Sequence, residues 1–508
     1  MGKLVYGQQL ITDPDRVIES GAVYVEGNRV VEVGRYDELK KKYHPEVEIG
    51  SERHLVVPGF VNSHNHGKGV TDFQRGQLDD TLETWKFRAY PPNDVYNDVL
   101  WSAIKQLESG ITSTMHNHDL SDADNYAEEF NRVLDAYEIA GLKVAFAPTL
   151  SNQNWFVYGD NELFIRSLPD ELQTLCRDRI ERSGKFGTKQ YFEAVEQLRT
   201  HRASQNVKIM HGPISPQWVD DESLQAVKRD ADAHAMRIHI HLQQTSLQYL
   251  FGLKRYGKSL LRHLDDLGFL GANVTCGHAV WIDEEDIRLL AETGTTVTHH
   301  PACNLRVRNG ISPVFALLQS GVHVGIGTDD KELGDDKDFL EEMRLVSKLH
   351  RIASIELDSP HLQPSEVFRM ATVFGAEALG LEGVVGELKP GYRADLVLLR
   401  LDRISEPFIS PSQSPHELLL YRAGARDIDK VLVDGEVVVE NGKVTHLDRD
   451  SVVNALREGL TADYADTLNS MNVKYQKLRK HVAKWFESWY GEFDALKPEP
   501  FYLVNRCR

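Results

Sequence analysis

Short apolar segments alternate with longer polar segments through the middle of the chain. The apolar segments have the length of buried β-strands, whereas the polar segments between them are compatible with helices. Eight such apolar segments follow one another: Gly59–Asn65, Ile111–Met115, Lys143–Thr149, Val207–Met210, Arg237–Leu242, Asn273–Cys276, Thr295–Thr298 and Val322–Ile326. Because strands that alternate with helices in this number are typical of a (β/α)8 barrel, the pattern predicts an α/β protein built around a TIM barrel.

The two flanks of this central region have the pattern of small β-units. Residues 1–57 contain the strands 22–25 and 30–33 around a Gly27-Asn28 turn, and further strands are predicted at 394–399 and 431–439. Neither set can bury both of its faces alone, so we expect the two sets to pair in a composite β-sandwich. The predicted units are the N-terminal half of the sandwich at 1–57, the barrel at 58–385, the C-terminal half of the sandwich at 386–447 and a helical C-terminal extension at 448–508.

The C-terminal extension carries an apolar stripe. Its apolar residues are spaced alternately three and four apart, as on one face of a helix: Leu468, Met471, Tyr475, Leu478, Val482, Trp485 and Trp489. Such a face must be covered, either by the barrel of the same chain or by a second subunit. Because the surrounding positions are strongly charged, we favour a homo-oligomer between these two alternatives.

The composition is that of a globular protein with a large core. The 508 residues are 41% hydrophobic, and their formal net charge of −18 at pH 7 argues against nucleic acid or an anionic membrane as the main partner. The four cysteines form no Cys-x-x-Cys pair, which indicates a reducing compartment and gives no sign of a thiolate metal site. The sequence has neither a signal-peptide core nor an apolar run that could span a bilayer. We therefore expect a cytoplasmic protein that acts on a small molecule.

Polar side chains cluster at the carboxyl ends of the predicted strands. His64 and His66 end the first strand at positions i and i+2, so both imidazoles point to the same face. His241 and His278 follow the fifth and sixth strands, and Asp329 follows the eighth. A single histidine is more often structural than a ligand, but this set at five strand positions predicts one divalent metal ion. Imidazole together with carboxylate suits zinc or iron(II).

These motifs resemble those of the amidohydrolase superfamily. The likeness is carried by Pro58-Gly59-Phe60-Val61-Asn62-Ser63-His64-x-His66, Gly277-His278, His299-x-Pro301-x-x-Asn304, Gly327-Thr328-Asp329 and Gly386-x-Leu388-x-Pro390-Gly391. Within the superfamily they are most similar to the branch of triazine chlorohydrolases and of cytosine, guanine and S-adenosylhomocysteine deaminases, over residues 1 to about 447. The resemblance implies a barrel with a composite β-sandwich, one metal ion and a hydrolytic reaction, but it does not fix the substrate.

Asp329 and His278 are the predicted centre of catalysis. A divalent metal lowers the pKa of a bound water towards neutrality, and Asp329 beside it can accept the water proton and pass it to the leaving group. His278 is either a metal ligand or a hydrogen-bond partner of the attacking water. The alternative role of Asp329 is a helix N-cap, but the Gly-Thr-Asp sequence after an apolar strand favours catalysis.

Two residues depart from the pattern of this branch. Its deaminases carry a glutamate three residues after the strand-five histidine, where it protonates a ring nitrogen, but this chain has Gln244. A carboxamide can orient a substrate or a water, but it cannot act as an acid. Ile214 replaces a histidine that often contacts the substrate, which makes that wall apolar.

These departures favour a metal-dependent hydrolase of a non-peptide carbon–nitrogen bond, in an amide, urea or carbamate, over a deaminase of an amino-heterocycle. Hydrolysis of an activated aryl–heteroatom bond is a further alternative. A metal-binding scaffold without activity is the alternative outside the enzymes, and the intact set of metal ligands argues against it.

His116 and His118 repeat the spacing of the first histidine pair on the second strand. Either they support neighbouring residues or contact the substrate, or one of them supplies the proton that Gln244 cannot. The charged run that follows Asp329, residues 330–337, has the composition of a solvated loop, although a substrate-facing role of Lys331 is an alternative.

Four further residues are predicted to contact the substrate. His299 and Asn304 belong to the motif after the seventh strand, and Trp85 and Trp155 lie in the long segments after the first and third strands. Because pockets are mostly apolar with a few placed polar groups, these tryptophans can line one. The alternative is that they pack their loops onto the barrel.

Overall fold

The fold is a barrel of parallel strands joined to a large mixed sheet, seen in a computed structural model that describes residues 2–77, 79–89, 94–351, 355–356, 359–459 and 462–492. The strands are β1 (Gly2–Asp13), β2 (Arg16–Glu26), β3 (Arg29–Arg35), β4 (Val47–Pro58), β5 (Phe60–Asn65), β6 (Ile111–His118), β7 (Lys143–Leu150), β8 (Val207–Ile209), β9 (Gly212–Pro213), β10 (Ile238–Leu242), β11 (Val274–His278), β12 (Thr296–His299), β13 (Val324–Ile326), β14 (Leu396–Arg400), β15 (Ile428–Val433), β16 (Glu436–Glu440) and β17 (Lys443–Val444).

The helices cover the barrel and extend from it at the C-terminal end. They are α1 (Tyr36–Tyr43), α2 (Leu82–Trp85), α3 (Val95–Glu108), α4 (Tyr126–Ala140), α5 (Asn161–Arg166), α6 (Asp170–Gly184), α7 (Thr188–His201), α8 (Asp221–Ala233), α9 (Ser246–Tyr256), α10 (Leu260–Asp266), α11 (Glu284–Thr293), α12 (Pro301–Arg306), α13 (Val314–Gln319), α14 (Phe339–Leu349), α15 (Pro364–Ala371), α16 (Val373–Ala378), α17 (Leu401–Ile404), α18 (Pro415–Arg422), a 3-10 turn (Ala425–Asp427), α19 (Arg449–Glu458) and α20 (Ala462–Glu492).

The parallel strands close into a barrel of two halves. β5, β6, β7 and β8 are hydrogen-bonded in that order, with β9 beside β7, and β10, β11, β12 and β13 form the second half. A parallel bridge between His211 and Ile238 joins the halves on one side. On the other side, the backbone N–H groups of Thr328 and Asp329 each donate to the His64 carbonyl oxygen at 3.0 Å. The predicted barrel is confirmed, and each predicted strand overlaps an observed one.

The barrel strands place apolar and polar side chains on opposite faces. In β10, Ile238, Ile240 and Leu242 belong to the core between strands and helices, whereas the rings of His239 and His241 contact His64 inside the barrel. This alternation follows from the two-residue period of a strand. It brings the polar residues of several strands to the same interior.

The flanks of the chain pair in one eight-stranded sheet, in the order β17-β16-β15-β14-β4-β1-β2-β3. Antiparallel pairing of β14 with β4, with Val397 opposite Val57, joins the C-terminal flank to the N-terminal flank. The sheet curls over a core of its own, since the Val30 N–H donates to the Tyr392 carbonyl oxygen at 2.9 Å. The predicted pairing of the flanks is confirmed, whereas the unit boundaries stay predictions.

The C-terminal helix α20 packs on the barrel of its own chain. Four residues of its stripe, Tyr475, Leu478, Val482 and Trp489, are buried, and so is Phe486, which neighbours Trp485 of the stripe. The ring centroid of Phe486 lies 5.2 Å from that of Tyr158, in the segment after β7. The stripe is therefore covered within the chain and no longer argues for a second subunit, and residues 493–508 of the extension lie outside the described residues. Of the helices that the structure describes, none has the length and apolar character of a membrane span.

Candidate metal centre

A cavity of about 790 Å³ opens at the carboxyl ends of the barrel strands. His66, His241, His278 and Asp329 line it on the barrel side, and the segments after β5, β6 and β7 form its walls. Barrels of this kind carry their reactive groups at this end. The volume is that of a site for a small molecule.

The residues predicted as metal ligands converge at the base of this cavity. The Asp329 Oδ1 atom lies 3.2 Å from His64 Nε2 and 3.1 Å from His66 Nε2. Nitrogen atoms of His64, His66 and His241 all lie within 4.8 Å of one another. Side chains from β5, from the end of β10 and from the segment after β13 thus reach one small volume.

Backbone carbonyl groups hold two of these histidines in the orientation of a metal ligand. His66 Nδ1 lies 2.8 Å from the Asn117 carbonyl oxygen, and His241 Nδ1 lies 2.7 Å from that of Ile214. A proton on Nδ1 leaves the lone pair of Nε2 directed at the centre. Burial lowers the pKa of His241 well below its ordinary value, which favours the neutral ring that binds metals.

The residues present fit a divalent cation. Nδ1 of His64 and Nε2 of His278 are buried and have no hydrogen-bond partner among the described residues. Although burial opposes charge on Asp329, hydrogen bonds to His300 and His64 hold the pKa of its carboxyl group well below the usual range. An anionic carboxylate among neutral imidazoles is a donor set that suits zinc or iron(II).

His278 reaches the centre because its backbone is left-handed. Alternation along β11 places Cys276 in the outer core, and His278 with φ 70° breaks this alternation. Asn304 Oδ1 lies 2.9 Å from His278 Nδ1, which leaves Nε2 at 3.7 Å from Asp329 Oδ2. Asn304, predicted to contact the substrate, therefore contacts His278 and does not line the cavity. Asp329 is left-handed as well, with φ 54°, and such strained residues cluster at functional sites.

His299, the last residue of β12, and His300, which follows it, face opposite sides of the barrel wall. His299 Nε2 lies 3.4 Å from His350 Nε2, just after α14. His299, which was predicted to contact the substrate, is therefore not among the residues that line the cavity. His300 turns inward instead and stacks on His64, with ring centroids 4.4 Å apart. His300 was expected to point opposite His299 but was given no role, although its position two residues after the inward-facing Thr298 was a signal for it.

His116 and His118 form a chain of hydrogen bonds with a glutamate of α4. His116 Nε2 lies 3.2 Å from His118 Nδ1, and His118 Nε2 lies 2.8 Å from Glu129 Oε1. Although burial opposes its charge, hydrogen bonds from His118 and Ser121 hold the pKa of Glu129 at about 2. Both ring nitrogens of His118 are engaged in this chain, so the geometry favours a supporting role over proton donation to a substrate.

The walls of the cavity combine aromatic and apolar side chains with charged groups and the carboxamide of Gln244. Trp85, Trp155, Ile214 and Gln244 all line the cavity, as does Trp218, which the sequence analysis did not single out. These tryptophans therefore lie where a substrate could contact them, and Trp155 also packs against the core, so substrate contact stays a prediction beside packing of the loops onto the barrel.

The charged run after Asp329 is buried at both ends, at Asp330, Lys331, Glu332 and Lys337, whereas its middle, with Leu333 and Asp336, is exposed like the solvated loop that its composition suggested. Lys337 Nζ contacts Asp330 Oδ1 and lies 3.3 Å from Glu332 Oε1, and all three side chains are buried. Asp330 Oδ2 in turn accepts hydrogen bonds from the backbone N–H groups of His66, at 2.9 Å, and Lys68, at 2.7 Å. The run thus supports the loop that carries His66.

Comparison with known proteins shows that this chain is similar to amidohydrolases over most of its length. The sequence profile of the amidohydrolase family matches residues 55–438. A 5'-deoxyadenosine deaminase of Methanosarcina mazei is 31% identical over 454 residues, which are 87% of this chain and 94% of that protein. A 5-methylthioadenosine/S-adenosylhomocysteine deaminase of Thermococcus kodakarensis is also 31% identical, over 86% of this chain and 92% of its own.

Solved structures share the fold. Atrazine chlorohydrolase of Arthrobacter aurescens TC1, crystallised with zinc, superposes with a TM-score of 0.76 at 22% identity and covers 90% of this chain and 99% of its own. An adenosine deaminase of Xanthomonas campestris with bound zinc has a TM-score of 0.74 at 22% identity, over 92% of this chain and 98% of its own. At these identities the likeness concerns the fold alone.

Proposed function

Because this chain belongs to the amidohydrolase family, it is a metal-dependent hydrolase of carbon–nitrogen bonds other than peptide bonds, and we propose that it cleaves an amide, urea or carbamate linkage of a small molecule. The observation that carries this choice of linkage is Gln244. It lines the cavity three residues after His241 in the chain, with a carboxamide that has no acidic proton to transfer.

We assign one ion, zinc or iron(II), to His64, His66 and His241 together with Asp329, whose Oδ1 atom lies beside the first two, and His278 lies next to this set. A divalent ion held by these residues would lower the pKa of water and so would make hydroxide available near neutral pH. The Asp329 carboxylate takes the proton of the attacking water and passes it to the leaving nitrogen. His278, whose Nδ1 is 2.9 Å from Asn304 Oδ1, presents the acceptor Nε2 to the water.

The number of protons required separates the candidate reactions. Cleavage of an amide, urea or carbamate needs one proton on the leaving nitrogen, and Asp329 supplies it. Deamination of an amino-heterocycle needs a second proton on a ring nitrogen. Gln244 cannot supply that proton, and both nitrogens of His118 are hydrogen-bonded elsewhere. The site therefore suits the reaction with the smaller proton requirement.

Deamination of an amino-heterocycle is the second candidate. Two relatives at 31% identity are named as deaminases of adenosine derivatives, and Trp85, Trp155 and Trp218 line the cavity. Planar rings stack well on such side chains. In that case Gln244 would orient the ring nitrogen through a hydrogen bond.

One incubation distinguishes the two candidates. The metal-loaded protein is mixed with pooled amides, ureas, carbamates and amino-heterocycles, and ammonia and product masses are followed together. Conversion of an acyclic amide, urea or carbamate supports the proposal. Ammonia release from an amino-heterocycle whose ring stays intact, without turnover of the other classes, overturns it in favour of deamination.

The Gln244→Glu variant tests whether the missing acid at position 244 decides between the two reactions. It introduces an acid beside the metal centre, so we expect it to gain turnover on amino-heterocycles, whereas the control Gln244→Ala gains none. The role given to Gln244 would be contradicted if the native protein turned over amino-heterocycles and Gln244→Glu did not increase that turnover.

The homo-oligomer and the cytoplasmic location stay predictions. A monomer at micromolar concentration in analytical ultracentrifugation would refute the homo-oligomer.

A further inference from the structure

Two cationic side chains line the cavity without a carboxylate partner. Lys86 follows α2 and Arg179 belongs to α6, and both line the cavity that contains the metal centre. The Lys86 Nζ atom lies 4.6 Å from the ring centroid of Trp218 and 5.2 Å from that of Phe87. The guanidinium carbon of Arg179 lies 5.3 Å from the Phe87 centroid. Within the residue ranges that the structure describes, neither cation forms an ion pair.

Other cationic side chains of the same cavity have carboxylate partners. The Lys331 Nζ atom lies 2.8 Å from Asp72 Oδ2, and Arg75 Nη2 lies 2.6 Å from Asp98 Oδ2. These pairs hold the loops of the wall together. The two cations beside Phe87 are half-buried and form no such pair with the residues that the structure describes, so an anion that enters the cavity can pair with them.

The carboxylate nearest in sequence does not neutralise Lys86. Glu83 lies one helical turn earlier, but its Oε1 atom accepts hydrogen bonds from the hydroxyl groups of Tyr158, at 3.0 Å, and Thr245. Burial raises the pKa of Glu83. Burial and the neighbouring charge of Arg179, opposed by Glu83, lower the pKa of Lys86 to about 7.

We propose that Lys86 and Arg179 bind a carboxylate of the substrate, so that the enzyme acts on small anionic carbon–nitrogen compounds. The inference rests on the proposed function for the bond that reacts. A guanidinium fork and an ammonium group together match the two oxygens of a carboxylate. The tryptophans of the cavity would cover the uncharged portion of the same molecule. An anion beside Lys86 also raises the pKa of its ammonium group, so binding near pH 7 takes up protons.

Matched substrate pairs test this proposal with the metal-loaded, full-length protein. Each pair is an N-acyl or N-carbamoyl amino acid and its methyl ester, which differ only in the free carboxylate. We expect kcat/KM to be at least about tenfold higher for the free acid, since a charge-assisted hydrogen bond contributes that much. Equal kcat/KM values for acid and ester would overturn the proposal. A preference for the corresponding phosphates over the carboxylates would replace the carboxylate by a phosphoryl group.

Three variants at the two cations and one control variant show whether the preference comes from these residues. Lys86→Met and Arg179→Gln should each lower kcat/KM for the acid roughly tenfold to hundredfold and leave the ester unchanged. Lys86→Arg should keep the preference because it keeps the charge. Arg182→Gln removes an exposed cation one turn further along α6 and should change nothing. A preference that survives both Lys86→Met and Arg179→Gln would contradict the assignment.

If no pair is hydrolysed, the proposed function is wrong, but the anion site can still be tested by a binding measurement. Benzoate is titrated into the metal-loaded protein while tryptophan fluorescence and proton uptake are recorded at pH 7.5. We expect saturable binding with proton uptake that Lys86→Met abolishes and Arg182→Gln does not alter. Benzoate held only by the metal would bind all variants equally, and that result would overturn the anion site.

Discussion

Lys337 is the residue whose replacement should reveal most about how the metal centre is held. Its ammonium group contacts the Asp330 carboxylate and lies 3.3 Å from Glu332 Oε1, and the side chains are 2%, 2% and 1% exposed. Lys337→Met removes the charge but keeps the apolar stem. Two carboxylates then remain buried without a cation, and removal of one partner from a buried ion pair costs about 3–5 kcal/mol. We expect the free energy of unfolding to fall by that amount.

The pH dependence of this loss follows from the carboxylate pKa values. In the native protein, although burial opposes it, Lys337 holds the pKa of Asp330 below its ordinary value. That carboxylate therefore stabilises the fold above pH about 4 and loses its contribution as the pH falls through the folded-state pKa. Burial already raises the pKa of Glu332, and without Lys337 both pKa values rise. The free energy of unfolding of the Lys337→Met variant should therefore rise as the pH is lowered from 8 to 5. Its difference from the native protein should be smaller at pH 5 than at pH 8.

Urea unfolding of the metal-loaded protein at pH 5 and pH 8 measures both effects. Lys185→Met is the matched control, because Lys185 forms an ion pair with Asp124 whose side chains are 44% and 65% exposed. Exposed pairs contribute little, so the control should unfold like the native protein. A Lys337→Met variant that is as stable as this control, or whose deficit widens towards pH 5, would refute the reasoning.

Three further predictions concern the centre and its surroundings. Asp329→Asn should lower kcat about 10²–10⁴-fold in the product assay, and a variant that keeps a tenth of the turnover would exclude the proton-transfer role. Asn304→Ala removes the hydrogen bond to His278 at 2.9 Å and should lower metal affinity or activity about 10–100-fold, measured as metal content and kcat. Unaltered metal content and kcat would show that Asn304 does not position His278. Phe486→Ala leaves a cavity beside Tyr158 and should cost about 3–5 kcal/mol in urea unfolding of the docked C-terminal helix, whereas an unchanged transition would mean that the helix does not stabilise the barrel.

Most of the fold and the histidine pair of the metal site could be predicted from the pattern of apolar strands. An apolar strand that is buried on both faces reads as a short apolar run, so the eight strands could be located before any contact was known. His64 and His66 could be predicted as neighbours because positions i and i+2 share a face whatever the rest of the chain does. Asp329 could be predicted from the Gly-Thr-Asp sequence at a strand end.

Local sequence was a poor guide wherever a distant partner decides the environment. The run from Asp330 to Lys337 has the composition of a solvated loop, but its charges compensate one another beneath the loop of His66. The stripe of α20 looked unpartnered until Tyr158, more than 300 residues earlier in the chain, was seen against Phe486. In both cases composition reports the residues of one segment and contains nothing about what that segment packs against.

The barrel, the pairing of the flanks and the histidine and aspartate set at the strand ends could therefore be predicted before any contact was known, because these follow from periodicities of two and of three to four residues. Contacts between distant segments were needed to tell which of His299 and His300 faces the centre, that Asn304 contacts His278, and that Lys86 and Arg179 share one cavity without carboxylate partners among the described residues. The physical reason is that a periodicity fixes the relative directions of neighbouring side chains. The partner each side chain meets depends on where a strand ends and on segments that are far away in the chain.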